Sequence, residues 1–262
     1  MPTTNATDGT PLHYRVLGDG PRDVVLVHGW MVSGAVWDAM LEQLDRTGLR
    51  IIVPDHRGTG QSGRPTSGYT LAQYAKDVLT VADHAGAKSF ALVGHSMGGQ
   101  IAQWVAAEAP SRVTGLVLAN SVPASGLPLP PDAAGLFRGS AGDREKQKTI
   151  LGLACKQLSP ESLEALLKDS GAVSKDAIEQ CFDSWTTGGF ADRLSAITAP
   201  TLVVATDDPF LPPVFLKQAV VGLIRNARLA HLPGPGHYPQ VERPAETAAL
   251  LASFLAGNAA QA

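Results

Sequence analysis

The stretch LVGHSMGGQ, residues 92–100, decides how the rest of the chain is read. It leaves an apolar run, FALVGHS at 90–96, and enters a helix-like segment, MGGQIAQWVAAEAP at 97–110. That segment carries Met97, Ile101, Trp104 and Val105 on one stripe and stops at Pro110. Gly94, Ser96 and Gly98 fit the pattern G-x-S-x-G between a strand and a helix, the context in which the pattern has meaning. So sharp a turn strains the residue at its apex and lifts its side chain clear of the sheet. Gly94 and Gly98, lacking Cβ atoms, let neighbouring backbone pass close by. Strain of this kind costs on the order of 1–3 kcal/mol, which a purely structural serine does not justify. Ser96 is the candidate nucleophile.

Working outward, short runs rich in Val, Ile and Leu recur: DVVLVHG (23–29), RIIVPD (50–55), VTGLVLANS (113–121), PTLVVATDD (200–208) and ARLAHLPG (227–234). Most lack polar alternation, as strands buried on both faces do. Helical patterns lie between them. AVWDAMLEQLDRTG (35–48) ends at Gly48, and TLAQYAKDVLTVADHAGA (70–87) opens with Thr70 as its cap. The alternation predicts an α/β sandwich with a mostly parallel sheet. Turn signals at Asp8-Gly9 and Gly18–Pro21 predict antiparallel strands leading into it. Residues 122–195 contain no convincing strand; they open with VPASGLPLPP and continue with helical PESLEALLKD and KDAIEQCFDSW. The expectation is a core built from residues 1–121 and 196–262, with 122–195 inserted as a helical cap over the strand ends, where ligands of such sheets bind.

Composition narrows the partners. The chain has 262 residues, 44% hydrophobic and 17% charged, with a net charge of −3. That is ordinary for a soluble globular protein and gives no electrostatic reason to bind nucleic acid or an anionic membrane. GDREKQK, 142–148, mixes signs and reads as a solvated helix face. MPTTNATDGT at the start lacks the basic and apolar regions of a signal peptide, and no apolar run approaches membrane-spanning length. Cys155 and Cys181 lack metal-ligand spacing and read as reduced thiols, so a cytoplasmic setting is expected.

A serine hydroxyl needs a base, and the base an orienting acid. Of the 7 histidines, His237 lies in the Gly/Pro loop GPGHYPQVERP after the last strand, free to swing over the sheet edge. His28 and His95 belong to other motifs, His56 to a turn, and His13, His84 and His231 to strand or helix positions. VVATDDPFLPP places both Asp207 and Asp208 just past a strand; one of them is expected to cap the following turn. Charge developing on a carbonyl oxygen also needs waiting donors. The loop in VHGW, 27–30, can turn N–H groups inward, so the backbone N–H groups of Trp30 and Met97 are the expected oxyanion pair. Each such donor is worth roughly 3–4 kcal/mol.

With these pieces assembled, the chain resembles the α/β-hydrolase fold superfamily, in the branch of small cofactor-free esterases and non-haem chloroperoxidases. The resemblance rests on DGTPLHYRVLGDGP, VLVHGW, PDHRGTGQSG, LVGHSMGGQIA, PTLVVATDDPFLPP and GPGHYPQVERP, and covers nearly the whole chain. It implies that fold, and a triad in the order Ser96, Asp208, His237. Some members carry the acid after the preceding strand, but ANSVP offers only Asn120 there. Ser96 is unlike the aspartate nucleophile of related dehalogenases, and HGWM differs from the HGGG loop of larger lipases. The implied activity is a serine hydrolase forming an acyl-enzyme, with no metal and no organic cofactor. Its partner is a small-molecule substrate; the oligomeric state is left open. Alternatives on the same framework are C–C bond or thioester hydrolysis and cofactor-independent oxygenation. Substrate preference falls to Trp30 and to apolar residues of the insertion: Leu127, Leu129, Leu136, Phe137, Leu151, Phe182 and Trp185. No acid or base stands out among them, so small or medium apolar esters or lactones are expected.

Overall fold

The computed structural model describes residues 2–259; the outermost ends of the expected core, residues 1 and 260–262, lie outside them. Eight strands form one sheet: β1 (Thr3–Asn5), β2 (Pro11–Leu17), β3 (Arg22–Val27), β4 (Leu49–Pro54), β5 (Phe90–His95), β6 (Val113–Ala119), β7 (Thr201–Thr206) and β8 (Ala227–Leu232). Their order is β1-β2-β4-β3-β5-β6-β7-β8. β1 and β2 run antiparallel, joined by the turn at Gly9, whose φ of 83° suits glycine. From β4 to β8 the sheet is parallel. β5 and β7 are buried along their whole length, which explains their unbroken apolar character. β8, on the edge, is half-exposed.

The chain passes from β4 over β3 to β5, so the connections leaving β3 and β5 diverge at their carboxyl ends. Open α/β sheets form a crevice at such a switch point. Ser96 follows β5 and the loop His28–Ser33 follows β3, so both sit at its rim.

Helices α1 (Asp38–Gln43), α2 (Leu71–His84) and α3 (Met97–Glu108) precede the break in the alternation. Thr70 caps α2 by accepting the Gln73 N–H through its hydroxyl. The expected helix over 35–48 is shorter: a 3-10 turn at Gly34–Trp37 leads into α1, and the chain is already extended at Leu44. Gly48, at φ 74°, serves the turn into β4 instead, its carbonyl accepting the Arg22 N–H. Trp104 is half-buried rather than core, with its ring against Phe190 and under the Arg193 guanidinium.

Between β6 and β7 lie α4 (Pro131–Arg138), α5 (Arg144–Ala154), α6 (Pro160–Gly171) and α7 (Lys175–Thr187). Asp143, Ser159 and Ser174 cap the last three of them. The mixed charges of 142–148 face solvent except at Gln147, which is buried and donates to the Ser140 carbonyl. α8 (Pro213–Ala219), α9 (Pro239–Glu242) and α10 (Pro244–Ala259) complete the chain. α2 packs on α3, and α1 on α10. Among the described residues no helix is long and apolar enough to cross a membrane.

Candidate active site

Ser96 sits at the end of β5 with φ 56° and ψ −123°, a conformation L-residues adopt at a cost. The glycines around it explain how the turn closes. A Cβ on Gly94 would stand 2.3 Å from the Gly98 carbonyl, and one on Gly98 would stand 2.3 Å from the carbonyls of Val27 and His28. The start of α3 is thus pressed against the end of β3, directing the helix N-terminus and its positive dipole end at the site.

The structure brings Ser96, Asp208 and His237 together. His237 Nε2 lies 2.9 Å from Ser96 Oγ, and His237 Nδ1 lies 2.6 Å from Asp208 Oδ2. With Nδ1 protonated and donating to the carboxylate, Nε2 is left to accept the serine proton. Asp208 is 1% exposed, and its other oxygen accepts the Phe210 N–H at 2.8 Å. Through that bond Asp208 also caps the turn that follows β7, whereas the Asp207 carboxylate reaches across to the next loop, accepting the Gly234 N–H and contacting the His231 ring. His13 pairs with Asp55, His84 with Tyr14, and His56 with the His28 carbonyl, all away from Ser96.

The His237 loop is fixed by groups the sequence did not single out. The His237 carbonyl accepts from His95 Nε2 at 2.8 Å and from Asn120 Nδ2 at 3.1 Å. Asn120 Oδ1 accepts the Thr206 N–H, which settles the orientation of the amide. Asn120 therefore occupies the position where an acid was sought, and it holds the backbone of His237 instead. Glu242 accepts four backbone N–H groups: those of Lys156, Gln157, Gly236 and Tyr238, at 2.8, 2.8, 2.9 and 3.0 Å. The His237 N–H donates to the Ala154 carbonyl at 2.9 Å. The histidine loop is thus stitched to the end of α5. A glutamate after a Gly/Pro loop was the one sequence signal of this arrangement.

Burial keeps the neighbouring imidazoles neutral. His95 is held well below its ordinary pKa by burial first and by His237 second, their ring centroids being 5.0 Å apart. His56 is also well below it and His28 is lowered, with burial the leading cause in both.

Trp30 and Met97 flank Ser96. Among the described residues neither backbone N–H is taken by a backbone acceptor outside helices and strands, and that of Met97, first in α3, has no partner within the helix. The Trp30 indole stacks on Phe137 at 5.5 Å. Ser96 and His237 open into a largely apolar cavity that is continuous with solvent. Trp30, Leu127, Leu129, Phe137 and Trp185 line it. Phe182 does not: it lies behind the wall, its ring packed edge-on against Trp185 and tilted against Trp30. Leu136 and Leu151 are also outside the lining: α4 turns Phe137 to the cavity, and α5 turns Ile150 and Ala154. Met31, Val122, Phe210, Leu211 and Tyr238 complete the wall and carry no charge.

Residues 24–150 match the alpha/beta hydrolase fold family. A non-heme haloperoxidase of Rhodococcus erythropolis is 31% identical, over 90% of this chain and 93% of the relative. A putative carbamate hydrolase, RutD, of Variovorax paradoxus is 32% identical, over 94% of this chain and 96% of its own. The solved esterase EaEST from Exiguobacterium antarcticum superposes with a TM-score of 0.88 at 24% identity, covering 96% of this chain and 98% of that one, a likeness of fold. With both whole-length relatives above 30% identity, this chain belongs to the α/β-hydrolase fold family, in its non-haem-chloroperoxidase-like branch.

Proposed function

We propose that this hydrolase of ester bonds works by acyl transfer through Ser96, on small or medium, largely apolar carboxylic esters or lactones. The observation that carries the reading is the unbroken contact from Asp208 to His237 to Ser96, opening into an uncharged cavity. His237 Nε2 accepts the Ser96 proton as Oγ attacks the carbonyl carbon. Asp208 fixes the tautomer and stabilises the imidazolium that forms. The carbonyl oxygen gathers negative charge toward the N–H groups of Trp30 and Met97. His237 then returns its proton to the departing alcohol. Water, deprotonated by the same nitrogen, releases the acid from Ser96.

The lining supports the substrate class: an anionic or cationic group entering it would lose its hydration without gaining a charged partner. In this reading α4–α7 act as a cap that shapes the acyl and alcohol pockets. A cytoplasmic setting belongs to the same reading, since Cys155 and Cys181 are both free thiols.

The test is p-nitrophenyl ester turnover with a chain-length series, alongside labelling by a fluorophosphonate. Wild type should hydrolyse short and medium esters and gain one label on Ser96. Ser96→Ala should lose both while keeping its far-ultraviolet spectrum. Full esterase activity in Ser96→Ala, or a preference for anionic acyl groups or carbamates over neutral esters, contradicts the proposal.

A further inference from the structure

The loop after β3 carries the Trp30 donor, and its conformation is not one the backbone would choose alone. Met31 stands at φ 66°. A non-glycine residue held there is strained and persists only where the surroundings over-determine it. The far end of the loop is tied to the sheet: the Asp55 carboxylate accepts the Gly34 N–H, and Arg15 donates to the Gly34 carbonyl, both at 2.9 Å.

Nearer the cavity the ties come from the helical insertion. The Trp30 indole N–H donates to the Ile178 carbonyl on α7 at 3.0 Å. On α6, Asp169 Oδ2 accepts the buried Ser33 N–H at 2.6 Å. Asp169 is in the last turn of α6, where the helix dipole disfavours a carboxylate. It forms no ion pair among the described residues. Local helix energetics therefore do not account for an aspartate there, but its contact with Ser33 does. A hydrogen bond to an ionised oxygen is roughly twice as strong as a neutral one.

We infer that Asp169 is a positioning residue for the oxyanion-binding loop: its carboxylate holds Ser33 and thereby sets the backbone through Met31 to Trp30, so that docking of α6 and assembly of the oxyanion site are a single event. The inference rests on the acyl-transfer reading of Ser96. Its mechanism is geometric. Donors must already be placed where charge develops, and a displacement near 1 Å costs up to about 100-fold in rate.

The experiment compares wild type, Asp169→Ala and Asp169→Asn by steady-state hydrolysis of p-nitrophenyl butyrate and by amide hydrogen exchange across residues 29–34. Asp169→Ala should lower kcat by about 10- to 100-fold with KM changed less than about two-fold, and exchange should speed up from Trp30 through Ser33. Asp169→Asn, whose amide oxygen still accepts, should recover most of both. A contact that merely fastens α6 would lower the melting temperature and leave kcat and exchange at Trp30 and Met31 at wild-type values; that result overturns the inference. If Ser96→Ala keeps wild-type turnover, the acyl-transfer reading fails separately. Exchange at 29–34 then decides: unchanged in Asp169→Ala, it overturns the positioning role, and accelerated and restored by Asn, it supports it.

Discussion

Asn120 Nδ2 lies 3.1 Å from the carbonyl oxygen of His237, so the end of β6 holds the backbone of the proposed base rather than its imidazole. The same amide nitrogen lies 3.0 Å from the Gly236 carbonyl and 2.8 Å from Thr206 Oγ1. Asn120→Leu keeps the volume but leaves the buried Thr206 N–H without its acceptor and removes one donor from the His237 and Gly236 carbonyls, which retain His95 Nε2 and Thr206 Oγ1. Each unsatisfied group costs about 1–3 kcal/mol. The expected outcome is a fall in kcat of at least about tenfold with a smaller loss of stability, because the loop can relax outward and draw His237 off Ser96. Parallel kinetics and urea denaturation check it; wild-type kcat in this variant would contradict it.

Glu242 is 8% exposed, and its Oε2 accepts three of its four backbone bonds. Glu242→Gln presents either a single carbonyl oxygen or an amide that opposes those donors. Bonds to a charged acceptor are worth about 1.5–3 kcal/mol each, with a further penalty for orphaned donors. A stability loss of about 3 kcal/mol is expected, measurable as a lower urea midpoint, together with reduced turnover as the His237 loop parts from α5.

The buried histidines set the acid limit of stability. In the unfolded chain each protonates near 6.5, whereas in the fold burial keeps His28, His56 and His95 neutral to lower pH. Below about pH 6.5 the unfolded state therefore binds more protons than the native state, so stability is full above that pH and is lost as pH falls toward the folded values. The limiting slope is about 1.4 kcal/mol per pH unit for each histidine, or about 4 for three. Urea unfolding at pH 7.5 and 5.5 should show this drop; a flat profile would contradict it.

Phe137 and Phe182 separate lining from support. Phe137 faces the cavity and Phe182 packs behind it, their ring centroids 6.3 Å apart. Phe137→Ala should move the p-nitrophenyl ester preference toward longer acyl chains. Phe182→Ala should instead cost about 3–5 kcal/mol of stability, with the smaller change in chain-length preference. Denaturation midpoints and the ester series together check both.

The fold was readable because its signals are local. Val24, Leu92 and Val203 lie in continuous apolar runs, Thr70 precedes a periodic stretch, and Gly94 and Gly98 bracket Ser96 at the spacing a tight turn needs. Within the site, Ser96 and His237 stood out for the same reason. Less readable were residues whose role depends on where distant segments land. Asn120 looked like a missing acid and Phe182 like cavity wall, while Glu242 drew no reading of its own.

Sequence alone determined the strand and helix periods, the strained serine turn and the glycine-rich setting of His237, because backbone sterics and apolar periodicity act over a few residues. Tertiary structure alone decided which face of α5 meets the cavity, and that Asp169 reaches the loop holding Trp30. Those outcomes follow from how helices rotate and dock on the sheet. Side chains as far apart in the chain as Ser33 and Asp169, or Ser96 and His237, find hydrogen-bond distance only when the whole core has closed around them.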